Sequence, residues 1–210
     1  MAEEIERRFL VPDLSKVPRA EAVPIVQGYL LAGNRPGVGN LTVVADHGKG
    51  AGTLRLTPCN GVPGARRRDA VCYEIPPGDA EALAALLPHA WVRVRLSQGR
   101  AWLTLKGKAT GYTCPEYEYP IPFVDGEVLL HCYSAFGVLN KTRRRVPVAE
   151  RVFEVDEFEG THAGLVVAEV ELPAVDTHVA VPEWAGREIS GDRTYSNAAL
   201  AMSTTRPALV

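Results

Sequence analysis

Apolar and polar residues alternate with a period of two along most of the chain, in short stretches punctuated by glycine and proline. That period puts successive side chains on opposite faces of an extended backbone, so it predicts a strand-dominated fold. Helical periodicity is confined to three short segments. DAEALAALLP (79–88) has Asp79 at a cap position and Pro88 as a stop, DGEVLLHCYSAF (125–136) is a second, and SNAALAM (196–202) is a shorter third. Between Leu31 and Trp91 the composition shifts to glycine-rich loops, AGNRPGVGN (32–40) and DHGKGAG (46–52), flanking short strands. Residues 32–89 therefore read as an insertion or lid within a single domain spanning 1–210. LRLTP (54–58) followed by YEIPPGDAEALAALL (73–87) echoes LTLKG (103–107) followed by YEYPIPFVDGEVLL (117–130). A partial duplication and two unrelated hairpin-then-helix segments both produce such an echo. The basic run ARRRDA (65–70) reads as a solvated turn.

The polar faces of the strands have an unusual chemistry. In EIERRFLV (4–11), Glu4, Glu6 and Arg8 share one face, opposite Ile5, Arg7 and Phe9. Arg93 and Arg95 share a face of WVRVRL (91–96), Lys106 stands opposite Leu103 and Leu105, and Glu116 pairs with Glu118. Lys141, Arg143 and Arg145 align in NKTRRRV (140–146), Glu154 and Asp156 in FEVDEF (153–158), and Glu169 and Glu171 in AEVEL (168–172). For one strand the wet face of an ordinary antiparallel sheet explains this. Seven strands of this kind change the picture, because like charges two residues apart are unfavourable unless opposite charge lies between them. A closed β-barrel lined by these faces, with a few flanking helices, supplies that charge.

The overall balance is close to even, 23 Lys and Arg against 25 Asp and Glu for a net charge of -2, so no basic field draws the chain to nucleic acid. Any anion site must be local. The eight acids and seven bases of the charged faces, net -1, cannot form a dry core, because so many buried ions would cost too much desolvation. Two divalent cations would bring such a lining to about +3, a complement to a linear triphosphate of roughly four to five negative charges. Carboxylates suit Mg2+ or Mn2+, and arginine and lysine suit phosphate oxygens. Cys59, Cys72, Cys114 and Cys132 are scattered and frame neither a zinc site nor a disulfide pattern. The absence of long apolar runs and the charged opening of the chain read as a soluble, cytoplasmic protein without a membrane partner.

Taken in order, the charged strands resemble the CYTH domain proteins, also called triphosphate tunnel metalloenzymes, whose N-terminal ExExK strand is represented by Glu4, Glu6 and Arg8. The matches continue through QGYL (27–30), VRVRL and AWLTLKG (92–107), EYEYPIP (116–122), LNKTRRRV (139–146), FEVDEFEG (153–160), GLVVAEVEL (164–172) and EISGDRTYSN (188–197), the pattern of the bacterial-type branch. The resemblance implies an eight-stranded antiparallel tunnel, with QGYL on the eighth strand, that binds a triphosphate with divalent metal and cleaves a phosphoanhydride. It implies metal binding by Glu4, Glu6, Glu154, Asp156, Glu169 and Glu171. Phosphate would meet Arg8, Arg93, Arg95, Lys106, Lys141, Arg143 and Arg145, with Glu116 and Glu118 also lining the tunnel. Tyr29 and Lys106 would activate the attacking water.

Two departures from the family pattern stand out. The signature lysine is Arg8, which can clamp phosphate but cannot act as a base. The 32–89 segment falls where a short connection is expected, and it fits restriction of the tunnel mouth, partner binding or homodimer formation equally well. The expected activity is metal-dependent hydrolysis of a triphosphate, inorganic tripolyphosphate foremost. The alternatives are a class IV type adenylate cyclase and a non-catalytic polyphosphate- or nucleotide-binding protein. The five histidines read as surface or helix positions, the three tryptophans as packing residues, and Ser196 and Asn197 as a helix cap or a substrate contact.

Overall fold

The computed structural model describes residues 2–30, 32–33, 41–47, 51–59, 70–108, 110 and 113–208. The basic run at 65–69 and most of the glycine-rich 32–40 loop lie outside them. Among the described residues there are twelve strands: β1 (Ala2–Leu10), β2 (Ala22–Leu30), β3 (Ala32–Gly33), β4 (Leu41–His47), β5 (Gly52–Pro58), β6 (Val71–Ile75), β7 (Trp91–Ser97), β8 (Arg100–Lys106), β9 (Thr113–Ile121), β10 (Leu139–Val148), β11 (Arg151–Phe158) and β12 (Val166–Glu171). Three α-helices accompany them among the described residues, α1 (Asp79–Leu86), α2 (Phe123–Tyr133) and α3 (Asn197–Met202). Eight strands close into a barrel in the order β1-β12-β11-β10-β2-β7-β8-β9, and β3-β4-β5-β6 form a separate four-stranded sheet. Closure removes the exposed edges an open sheet would present. The strand carrying QGYL is β2, a member of the barrel. No helix among the described residues is long and apolar enough to cross a membrane.

The chain forms two compact units, one built from Gln27–Lys108 and Pro115–Val138, the other from Glu3–Val26 and Leu139–Val210. In the second, β1, β12, β11 and β10 pair antiparallel, and the registers put Phe9, Val146, Phe153, Val155, Ala168 and Val170 on one face, while Leu10, Phe158 and Val167 fall on the other with the charged residues. Phe9, Val146, Phe153, Val155, Ala168 and Val170 make a core there with Val179 and Trp184 from the C-terminal segment. The Trp184 ring meets Phe153 edge to face at 5.6 Å.

In the first unit, β5–β6–α1 and β8–β9–α2 share an order, a register and a packing scheme. Leu54 stands opposite Tyr73 and Leu103 opposite Tyr119, which aligns IPPGDAEAL (75–83) with IPFVDGEVL (121–129). The equivalent of Tyr73 is therefore Tyr119, two residues beyond the tyrosine that sequence inspection pairs with it. Each helix presses a small residue of its first turn against the start of the middle strand, Ala80 of α1 against Gly52 and Gly126 of α2 against Ala101, and one partner of each contact is glycine. A Cβ built on Gly52 would lie 3.2 Å from that of Ala80, and one built on Gly126 would lie 2.6 Å from that of Ala101. The two modules also exchange hydrogen bonds: Tyr73 Oη donates to Asp125 Oδ2 at 3.2 Å, and Tyr119 Oη to Asp79 Oδ2 at 2.7 Å. Asp79 and Asp125 are equivalent positions, so the exchange is reciprocal.

This arrangement corrects one expectation. Asp79 is the first residue of α1, behind the cap position Gly78, and its carboxylate accepts a hydrogen bond from Tyr119 Oη in place of capping the helix. The second helix also runs earlier than expected, ending at Tyr133. Ser196 does cap α3, accepting from the Ala199 amide at 3.2 Å.

Candidate functional site

The charged face of the second unit lies opposite its core. Across β1, β12, β11 and β10 the registers place Arg8, Glu169, Glu154 and Arg145 in one row, with Arg143 opposite Asp156 one pair along and Glu6 directly opposite Glu171. Glu154 opposite Glu169 and Glu6 opposite Glu171 are like-charge pairs at the closest cross-strand positions, which destabilise a sheet unless a cation serves them. Arg143 serves the first. Its Nη1 donates to Glu154, its Nε and Nη2 hold both oxygens of Asp156 at 2.6 Å, and Nη2 also reaches Glu169 at 3.3 Å. This is the planar-fork geometry that arginine supplies and lysine lacks.

Behind Arg143 lies a fully buried pair. Lys141 is 2% and Asp156 1% exposed, with Nζ donating to Oδ2 at 2.6 Å. Lys141 also donates to Asn197 Oδ1 at 3.2 Å and sits 5.5 Å from the centre of the Phe158 ring. Burial pulls the Lys141 pKa below the ordinary lysine range despite Asp156 beside it. Burial alone would push the Asp156 carboxyl up, but Lys141 and Arg143 outweigh it and hold that pKa below the usual carboxylate range. Both oxygens of Asp156 are thus committed to cations. Arg145 is 72% exposed on its side chain and only approaches Glu154, at 3.5 Å. Glu171 is exposed, and Glu4, Glu6, Glu154 and Glu169 are half-buried.

The first unit has a charged face of its own on β7, β8 and β9. Arg93 Nη2 meets Thr104 Oγ1 and Glu116 Oε1, both at 3.2 Å, and Arg95 Nη2 donates to Glu118 Oε1 at 2.7 Å. Lys106 Nζ lies 2.9 Å from Glu116 Oε2. The Arg95 guanidinium also stacks 4.9 Å from the ring centre of Trp102, its register partner. Tyr29 is buried, its ring edge-on to Trp91 at 5.8 Å, and Trp91 is the register partner of Lys106. On β4–β6 the positions equivalent to Arg93, Arg95, Lys106 and Glu118 are Val44, Asp46, Thr57 and Cys72, so the corresponding strands do not repeat the charged pattern of β7–β9.

The sequence-predicted residues thus gather into two sets, Glu4, Glu6, Arg8, Lys141, Arg143, Arg145, Glu154, Asp156, Glu169 and Glu171 in one unit and Tyr29, Arg93, Arg95, Lys106, Glu116 and Glu118 in the other. Among the described residues, no three Asp, Glu, His or Cys side chains converge tightly enough to form a preassembled metal cage. Three neighbours make contacts that the sequence reading did not assign to them. Thr104, fully buried, passes a hydrogen bond from its hydroxyl to Glu118 at 3.0 Å, and it shares the parity of Trp102 and Lys106, a signal that was available. Asn197 turns its carbonyl to Lys141 while Ser196 performs the capping. His162 is buried, not superficial, with Nε2 2.8 Å from the Leu200 carbonyl, and a lone histidine gives no periodic signal of this.

Comparison with known proteins adds four findings. The family model described as CYTH domain matches residues 83–198, more than half of the chain. An inorganic triphosphatase of Acetivibrio thermocellus is 40% identical over 109 residues, covering 52% of this chain and 70% of that protein. One of Nitrosomonas europaea is 33% identical over 115 residues, covering 53% and 75%. Among solved structures, the crystal structure of an inorganic triphosphatase superposes with a TM-score of 0.52 at 25% identity, covering 95% of this chain and 97% of that one.

Proposed function

The chain belongs to the CYTH domain family, and on this footing we propose that it is a metal-dependent triphosphatase with inorganic tripolyphosphate as its substrate. The observation that carries the reading is the lattice of opposed charges on β1, β12, β11 and β10, where acids face acids in register and cations bridge them. Counting Arg8, Lys141, Arg143 and Arg145 against Glu4, Glu6, Glu154, Asp156, Glu169 and Glu171, this face has an excess of two negative charges. Its donors are hard oxygens, the chemistry that suits Mg2+ or Mn2+. Glu6 and Glu171 would hold the ion with Glu4 and Glu169. Asp156 would not, because Lys141 and Arg143 occupy both of its oxygens. When bound, the cation supplies charge neutralisation on phosphate oxygens.

The protein's own groups do the positioning. Arg143 and the exposed Arg145 present guanidinium donors to phosphate oxygens, and on the β7–β9 face Arg93, Arg95 and Lys106 carry the same chemistry. Lys141 and Asp156 fix the Arg143 fork from behind. Lys106 and Tyr29 are the candidates for orienting the attacking water, Lys106 being held at Glu116. Hydrolysis then depends on prearranged charge rather than on a covalent intermediate.

A phosphate-release panel over tripolyphosphate, ATP, GTP and thiamine triphosphate, each with Mg2+ and with Mn2+, tests this. Tripolyphosphate is expected to be the fastest substrate, with no release in the presence of chelator. Absence of phosphate from every triphosphate, or cyclic AMP as the product from ATP, would overturn the reading.

A further inference from the structure

We infer that Arg8 is a positioning residue that pins the C-terminal segment carrying Asn197, and that it does not grip phosphate. The kinetic side of this inference rests on the hydrolase reading above. Arg8 is buried, and both terminal nitrogens point at the backbone, Nη1 to the Tyr195 carbonyl at 3.2 Å and Nη2 to the Ser190 carbonyl at 3.4 Å, while Nε lies 3.5 Å from Glu6 Oε1. Its main chain is tied to the same segment, the amide donating to Ser190 Oγ at 3.0 Å and the carbonyl accepting from the Ile189 amide at 2.8 Å. Arg143 is built differently, with every one of its side-chain hydrogen bonds going to a carboxylate.

The other hydrogen bonds of the segment that Arg8 holds are mostly local, such as the Asp192 amide to the Ile189 carbonyl at 2.9 Å and Ser190 Oγ to Glu188 Oε1 at 2.6 Å, and Tyr195 Oη also donates to the Ala208 carbonyl. Asp192 accepts from the Thr194 amide at 3.0 Å, and Arg187 Nη2 donates to Tyr195 Oη at 3.0 Å. Immediately beyond Tyr195 come the α3 cap Ser196 and then Asn197, whose side-chain carbonyl meets the buried Lys141. The far end of α3 is held at the Leu200 carbonyl by His162. By closing the 190–195 loop through two carbonyls at once, the Arg8 guanidinium sets where Asn197 begins α3, and so completes the coordination of Lys141 behind Arg143. A guanidinium can serve two carbonyls set apart because its donors form a rigid planar fork. An ammonium reaches one of them and releases the other. On this account arginine at position 8 has its own structural requirement.

The test uses Arg8→Lys, Arg8→Met and Asn197→Ala in the full chain, read by amide hydrogen exchange across 196–203 and by phosphate-release kinetics. Both Arg8 variants are expected to speed exchange in α3 by about tenfold, the effect of losing one or two charge-assisted hydrogen bonds on a local opening. Arg8→Lys is expected to lower kcat while KM for tripolyphosphate stays within about threefold, and Arg8→Met with Asn197→Ala should be no slower than the worse single variant. Exchange in α3 indistinguishable from the parent in Arg8→Lys overturns the inference, as does a rise in KM of about tenfold or more in that variant at unchanged kcat. Should the parent protein release no phosphate from any triphosphate, the hydrolase reading fails, and the exchange measurement still decides the role of Arg8.

Discussion

Replacing Asp156 by asparagine keeps the volume and removes one charge from the most enclosed part of the site. Lys141 would then face a neutral partner at 2% exposure, holding only Asn197 besides, and Arg143 would lose the carboxylate that its Nε and Nη2 grip at 2.6 Å. Removing one partner of a buried ion pair costs about 3–5 kcal/mol. Arg143 keeps Glu154 and Glu169, which places the expectation at the lower end, about 3 kcal/mol. With a urea slope of about 2 kcal/mol per molar, the unfolding midpoint should fall by about 1.5 M at pH 7. Lys141→Met should cost less, about 1–2 kcal/mol, because Asp156 would retain the Arg143 fork. Acid narrows the gap: the folded Asp156 pKa is depressed, so its contribution is complete above the unfolded carboxylate value of about 3.9 and is lost as pH falls through the folded value. A midpoint shift for Asp156→Asn below about 0.5 M, or a larger shift for Lys141→Met, would refute the reasoning.

Four further outcomes follow from other parts of the molecule. Arg143→Lys keeps the charge but not the fork, and should lower kcat/KM for tripolyphosphate by about ten- to a hundredfold in a phosphate-release assay. Gly126→Ala puts a methyl 2.6 Å from the Ala101 Cβ and should cost about 1–3 kcal/mol by urea denaturation. Gly78→Ala, where the added methyl meets nothing within 4 Å, should stay within about 0.5 kcal/mol. Tyr73→Phe and Tyr119→Phe each remove one of the exchanged Tyr–Asp hydrogen bonds and should each cost about 1 kcal/mol, checked by denaturation of the two single variants.

The alternation of residues 4–11, 91–107, 116–121 and 139–172 was enough to assign both the strands and their charged faces, because side-chain direction in a strand follows from parity alone. Arg143 and Asp156 could be placed on one face before any coordinates. Strand β2 lacks that alternation, with Gln27, Gly28, Tyr29 and Leu30 all buried in succession, and only its resemblance to family members marked it as a barrel strand. Asp79 looked like a cap, a local role, because nothing nearby announces a tyrosine forty residues on. The sequence by itself therefore determined which residues are charged, which face of its strand each one occupies, and the antiparallel class of the sheet. The tertiary structure alone decided which charges meet. Cross-strand register sets Glu6 against Glu171 and Glu154 against Glu169, and the return of the C-terminal segment over β1 brings the Ser190 and Tyr195 carbonyls to the Arg8 guanidinium. Such contacts are set by chain segments that approach only after folding, and an arginine's code is the same whichever acceptor closes on it.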